Sequence, residues 1–184
     1  MKKLNKIIAV VIALLMIYFS FKNSNYLHLF YLLTLVIPFV IKMPPIQTLI
    51  YLIMMFLMVV LGYQVNLYQK TTYYDKIAHF LFGIVISIPA LGILVKYKLL
   101  NNLWFVCIFI FCFGTAIGVL WEIFEYVVDS FIGSDMQRSA TGVHDTMQDL
   151  IVCCIGHIVF IIWYIFEVKF NKPLIINKLI KEME

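Results

Sequence analysis

Polar residues recur along this chain at intervals that leave six predominantly apolar stretches, at residues 4–21, 26–41, 46–65, 77–95, 103–128 and 150–166. The hydrocarbon core of a bilayer takes roughly 20 apolar residues of helix to cross, with about 17 as the lower end. All six stretches approach or meet that length. The pattern predicts an all-α, polytopic membrane protein of about six transmembrane helices, forming one integral domain over residues 1–184. Lys22-Asn23-Ser24-Asn25 joins the first two stretches as a tight helical hairpin, and Lys42-Met43-Pro44-Pro45 makes the next turn, where proline favours a break. Pro38 and Pro89 fall inside spans, where neighbouring helices can repair the backbone.

The N-terminus, Met1-Lys2-Lys3-Leu4-Asn5-Lys6 before an apolar run, has the look of a signal peptide. That run ends in Ser20-Phe21-Lys22 with no small-residue cleavage pattern, so it is expected to stay as a signal-anchor helix. No internal repeat, low-complexity tract or domain-sized linker interrupts the series. Composition agrees: 64% of the 184 residues are hydrophobic and 13% charged, against about 45–50% and roughly 25% in soluble domains. A soluble globule, a disordered chain and a disulfide scaffold are excluded by the same figures.

Charge sets the expected orientation, because lysine and arginine collect in cytoplasmic loops. With six spans, ten basic residues fall on the side of the termini and four (Lys22, Lys70, Lys76 and Arg138) on the other. Both termini are therefore expected to be cytoplasmic. The net charge of +4 is this topology signal and does not point to nucleic acid. The tail at 171–184 is expected on the cytoplasmic side. It reads either as an amphipathic helix with Leu174, Ile175, Leu179 and Ile180 against lipid, or as a solvated lysine-rich end.

Acids are distributed differently. Seven of the ten lie between positions 75 and 149. In the expected topology they gather on the outer side, at the start of span four (Asp75, His79), the end of span five (Glu122, Glu125, Asp129) and the start of span six (His144, Asp145, Asp149). Ionisable groups within a span cost roughly 2.5–3.5 kcal/mol and normally face the bundle interior. Asp75 and His79 are four residues apart on one helix face, as are Asp145 and Asp149, while Glu122, Glu125 and Asp129 share a third. Cys153 and His157 continue the Asp145–Asp149 stripe deeper. Helical pairs one turn apart can grip one ion, which makes Asp75, His79, Glu122, Glu125, Asp145 and Asp149 candidate metal ligands. A mixed carboxylate and imidazole set suits Zn²⁺, Mn²⁺ or Fe²⁺; carboxylates alone lean toward Mg²⁺ or Ca²⁺. The alternative is a set of structural pairs locking helix ends, with Lys76 and Arg138 as counter-ions.

Arg138 is the one arginine among 14 basic residues. Its planar guanidinium suits a lipid phosphate or an anionic precursor, with Lys76 as a second candidate anion-binding group; pairing with Asp135 or Asp145 is the competing reading. Other signals are weaker. His28 reads as an interface residue and His157 as a core histidine, its odds as a ligand raised by the stripe it shares with Asp149. Cys107, Cys112, Cys153 and Cys154 read as small buried hydrophobes. Met54, Met55 and Met58 read as packing residues, and Gly114 and Gly118 form a small-xxx-small step that lets helices approach closely.

The run Tyr74-Asp75-Lys76-Ile77-Ala78-His79-Phe80, followed by Trp121-Glu122-Ile123-Phe124-Glu125 and by His144-Asp145-Thr146-Met147-Gln148-Asp149 with Gly156, resembles the YjdF-like family of bacterial inner-membrane proteins. The motifs D-K-x-x-H-F, E-x-x-E and D-T-x-x-D-x6-G cover about the C-terminal 110 residues. The same residues are more distantly similar to the VanZ-like membrane domain, from which the chain departs at Glu125, where glutamine is usual, and Asp149, where asparagine is usual. The resemblance implies a helical protein of the bacterial cytoplasmic membrane and brings no reaction with it. Three functions fit the residues. One is an outer-leaflet acidic site binding a divalent cation and an anionic lipid or lipid-linked, phosphate-bearing precursor, acting, if it is an enzyme, by metal-assisted hydrolysis or phosphoryl transfer. The others are a small proton- or cation-coupled transporter and a non-catalytic envelope accessory protein. No sequence element identifies a nucleophile, so catalytic residues stay unassigned.

Overall fold

The computed structural model describes residues 1–24, 26–71, 73–133, 135–137, 142–170 and 174–183, with the backbone alone at 27 and 28. Among the described residues the regular structure is all helical, without strands. Five helices are long and apolar enough to cross a membrane: Lys2–Lys22 (α1), Pro45–Gln64, Tyr74–Lys96 (α5), Leu103–Ile132 (α6) and Val143–Lys169 (α7). Several run beyond the apolar stretches that announce them. Hydropathy falls at the first charged residue, whereas the backbone stays helical through Asp75 and Lys76, through Asp129, and through His144, Asp145 and Asp149. The chain divides into two compact units, Met1–Ala78 and His79–Glu184.

In the first unit the expected second span is not a uniform α-helix. It opens with a 3₁₀ segment, Tyr26–Tyr31, and only then becomes a nine-residue helix, Leu32–Val40 (α2). Side-chain bonds nonetheless require this segment to carry the chain back across the unit. Asn5 Nδ2 donates to Pro45 O at 2.7 Å, joining the start of α1 to the start of the next long helix. Gln64 Nε2 donates to Met16 O at 2.9 Å, and Asn23 Nδ2 donates to Gln64 O at 2.8 Å, joining their far ends. Starts pair with starts and ends with ends, so the two helices are parallel and residues 26–40 must return between them. A 3₁₀ turn rises about 2.0 Å per residue against about 1.5 Å for an α-turn, which brings these 15 residues to roughly 25 Å. Tighter winding supplies the reach that a short segment lacks.

The third crossing also changes winding, from α-helix over Pro45–Met55 (α3) to π-helix over Phe56–Gln64. Tyr74 donates its hydroxyl to Leu57 O at 2.6 Å inside that wider stretch. A core of Ala9, Ile12, Met16, Leu35, Leu52, Val59 and Val60 fills the unit. The short helix Leu67–Lys70 (α4) leads to α5, and the division between the units falls within α5 itself.

In the second unit α5 and α7 run parallel with α6 antiparallel to both, held in register by glycine. A Cβ on Gly83 would collide with the Cys153 carbonyl, and one on Gly156 with the Phe80 carbonyl, so α5 and α7 touch backbone to backbone. On α6, a Cβ at Gly114 would enter the His157 ring, and one at Gly118 would stand 3.3 Å from Cys153 Sγ. These contacts stack three layers, each four residues and about 6 Å of helix rise from the next. One is His79, Glu122 and Asp149; the second is Gly83, Gly118 and Cys153; the third is Ser87, Gly114 and His157.

The tail forms a helix, Ile176–Met183 (α8). Ile176 and Leu179 are buried while Leu174 and Ile175 are exposed. The expected lipid contact of Leu179 is thus corrected: with Ile176, three residues earlier on the same face, it packs into protein.

Candidate functional site

The topmost of the three layers holds charge. His79 Nδ1 lies 3.8 Å from Glu122 Oε1, and His79 Nε2 lies 4.0 Å from Asp149 Oδ1. One imidazole thus faces a carboxylate on each ring nitrogen, at separations too long for hydrogen bonds and suited to charge interaction. All three side chains are buried. Asp75 stands one turn before His79 on α5, whose backbone is unbroken there, with Ile77 N bonded to Tyr73 O. One ligand atom from each of Asp75, His79 and Asp149 lies within 4.8 Å of the others, and no other such group occurs among the described residues.

The remaining candidates surround this centre in distinct ways. Lys76 Nζ lies 3.4 Å from Asp75 Oδ2. Glu125, one turn beyond Glu122's face, is buried and accepts the Trp121 indole N–H at 2.8 Å. Asp145 is buried in the first turn of α7 and joins no group of potential ligand atoms with the triad. Arg138 lies outside the described residues, as does the side chain of His28. The structure therefore brings Asp75, His79, Glu122 and Asp149 together, and leaves Glu125 and Asp145 beside that centre.

Two further residues hold the rim: Gln137, which sequence reasoning passed over, and Asp129, which it placed on the Glu122 face without a role. Gln137 donates through Nε2 to Glu122 O and to Thr146 Oγ1, both at 3.2 Å, tying the end of α6 to the start of α7. Asp129 accepts the backbone N–H groups of Met136 and Gln137 at 2.8 Å each, which presents Gln137 for that role. A third, Glu167, sits at the opposite end of α7 and is almost wholly buried. Its signal was present in the sequence: Trp121-x3-Glu125 recurs as Trp163-x3-Glu167, and in both the indole N–H donates to the carboxylate one turn on.

Below the charged layer lies His157, which has no solvent exposure. Ser87 donates to Gly83 O at 2.9 Å, and its Oγ also lies 2.9 Å from His157 Nδ1. His157 Nε2 lies 3.5 Å from the Cys153 thiol.

Five helices long and apolar enough to cross a membrane, with a buried histidine–carboxylate layer in the second unit, define an all-helical protein of membrane type. The chain matches the model of the predicted membrane protein family DUF2238 over residues 3–169, and belongs to that family. It is 34% identical over 102 residues to an uncharacterised protein of Thermotoga maritima, the match covering 55% of this chain and 52% of that one. The chain thus spans about half the length of the curated relative it matches. No solved structure matches it.

Proposed function

We propose that this protein, in the bacterial cytoplasmic membrane, holds a divalent cation in its His79 layer. The observation that carries the reading is the triad of Asp75, His79 and Asp149, with ligand atoms mutually within 4.8 Å on two helices. Three ligands around one ion stand about 3.0–3.6 Å apart at a bond length of about 2.1 Å and about 3.4–4.2 Å at about 2.4 Å. The triad is near that spacing and would draw in by about 1 Å on an ion. Neighbouring carboxylates in a membrane interior repel and need a compensating charge; a cation supplies it, and one imidazole with two carboxylates favours Zn²⁺, Mn²⁺ or Fe²⁺ over Mg²⁺.

The lysine distribution supports an outer-leaflet position for this layer, with both termini cytoplasmic. Three protein ligands leave coordination positions open, and Lys76 beside Asp75, with Arg138 seven residues before Asp145 in sequence, suits an anionic lipid or lipid-linked phosphate as the second ligand. A cation there would polarise a phosphate oxygen for hydrolysis or phosphoryl transfer, with Glu122 placed to take a proton. The YjdF-like motifs support the same centre, since they contain Asp75, His79, Glu122 and Asp149.

The test is metal content of protein purified in mild detergent without chelator. About one equivalent of one divalent metal is expected in the parent protein, with loss in His79→Ala and Asp149→Asn and a smaller change in Glu122→Gln. A parent protein that is metal-free, and takes up none of Zn²⁺, Mn²⁺, Fe²⁺ or Mg²⁺ when offered, would sink the proposal.

A further inference from the structure

The end of the second unit opposite His79 carries a different chemistry. There the ends of α5 and α7 and the whole of α8 present exposed lysines, Lys96, Lys98, Lys169, Lys178 and Lys181, against Glu182 as the one acid that is not deeply buried among the described residues of that end. Apolar side chains stand out beside them: Phe170, Leu174 and Ile175 are all exposed. An aromatic and aliphatic fringe next to ammonium groups is the pattern of a surface lying at a headgroup layer.

The lysines of α8 sit on a helix clipped at both ends. Glu167, on the last turn of α7, accepts three backbone N–H groups at the start of α8: those of Ile175 and Ile176 at Oε1, and that of Asn177 at Oε2, each at 2.9 Å. Trp163 donates to the same carboxylate at 2.6 Å. At the far end Met183 packs over Gly92 of α5, its Sδ 3.6 Å from where a Cβ would stand. Ile176 and Leu179 fill the bundle side, which turns Lys178 and Lys181, three residues apart, outward on the other. The backbone carrying these lysines is already fixed when a ligand arrives, so binding orders only their side chains.

We infer that α8, with the lysines at the adjoining ends of α5 and α7, is a preformed docking surface for anionic phospholipid headgroups. Each lysine near an anionic leaflet contributes about 1 kcal/mol, roughly fivefold in binding. The interaction is independent of the cation centre, which lies at the other end of the helices.

The experiment places the full chain in nanodiscs of phosphatidylcholine, with and without phosphatidylglycerol. It follows the thermal midpoint and, by native mass spectrometry, the phosphatidylglycerol retained. The lipid is expected to raise the midpoint of the parent protein, and Lys178→Gln with Lys181→Gln to weaken retention roughly fivefold to twenty-five-fold without lowering the midpoint in phosphatidylcholine. Glu167→Gln, which keeps every lysine but loosens α8, is expected to weaken retention as well. Equal retention by the parent and the double-lysine variant would overturn the inference. So would an equal rise in midpoint from free inorganic phosphate in phosphatidylcholine nanodiscs, which would make the ligand a soluble anion and not a lipid.

Discussion

Alanine at position 114 would place its Cβ inside the imidazole ring of His157. The ring cannot simply step aside, since it is fully buried and held 2.9 Å from Ser87 Oγ. Overpacking of this kind costs about 1–3 kcal/mol, and breaking the Ser87 bond to make room adds about 0.5–1.5 kcal/mol. Against that stands the gain of up to about 1 kcal/mol from replacing glycine by alanine within a helix. The balance is a loss of about 0.5–4.5 kcal/mol for Gly114→Ala. Gly92 provides the comparison, because its new Cβ would meet only Met183, at 3.6 and 3.8 Å, an ordinary contact; Gly92→Ala is expected to be neutral or to stabilise by up to about 1 kcal/mol. Denaturant unfolding in mild detergent, followed by tryptophan fluorescence, measures both. In a His157→Ala background the ring is gone, and Gly114→Ala should cost little, giving a coupling of at least about 1 kcal/mol in the double-mutant cycle. Equal stability changes at 92 and 114, or additive effects in the cycle, would refute a register set by the Gly114–His157 contact.

Asp129→Ala removes the acceptor for two backbone N–H groups, at about 1.5–3 kcal/mol for each bond to a charged group when it is well shielded. Faster limited proteolysis at Met136-Gln137 is the expected readout, with the α6 core intact. Gln64→Leu removes the donor to Met16 O and Ser20 Oγ, and should lower unfolding stability by about 1–3 kcal/mol, seen as a lower detergent melting point. Tyr74→Phe deletes the bond to Leu57 O and should cost about 0.5–1.5 kcal/mol, with hydrogen exchange rising over Phe56–Gln64 more than over α1.

The crossings were legible in the sequence because a span needs only length and apolarity, which are properties of a stretch read on its own. Asp75, His79, Glu122 and Asp149 were legible as candidates because they recur one helical turn apart at the ends of apolar spans that the expected topology gathers on one side. The pairing of His79 with Glu122 and Asp149 was not. It depends on Gly83 and Gly156 letting two backbones touch, and on Gly114 admitting a histidine ring. A glycine in a sequence does not say what will fill the space it leaves. Glu125 and Asp145 had helical spacing as good as that of Asp75 and His79, yet side-chain direction after packing left them outside the triad.

The sequence alone determined that this chain is helical and apolar enough to cross a membrane several times, and that seven of its ten acids concentrate between positions 75 and 149. The tertiary structure decided the winding of residues 26–40 and 45–64, the pairing of Glu167 with α8, and which carboxylates face His79. Burial energy is additive along the chain and can be read residue by residue. Register and partner choice are set by contacts between residues dozens of positions apart, and exist only once the helices have packed.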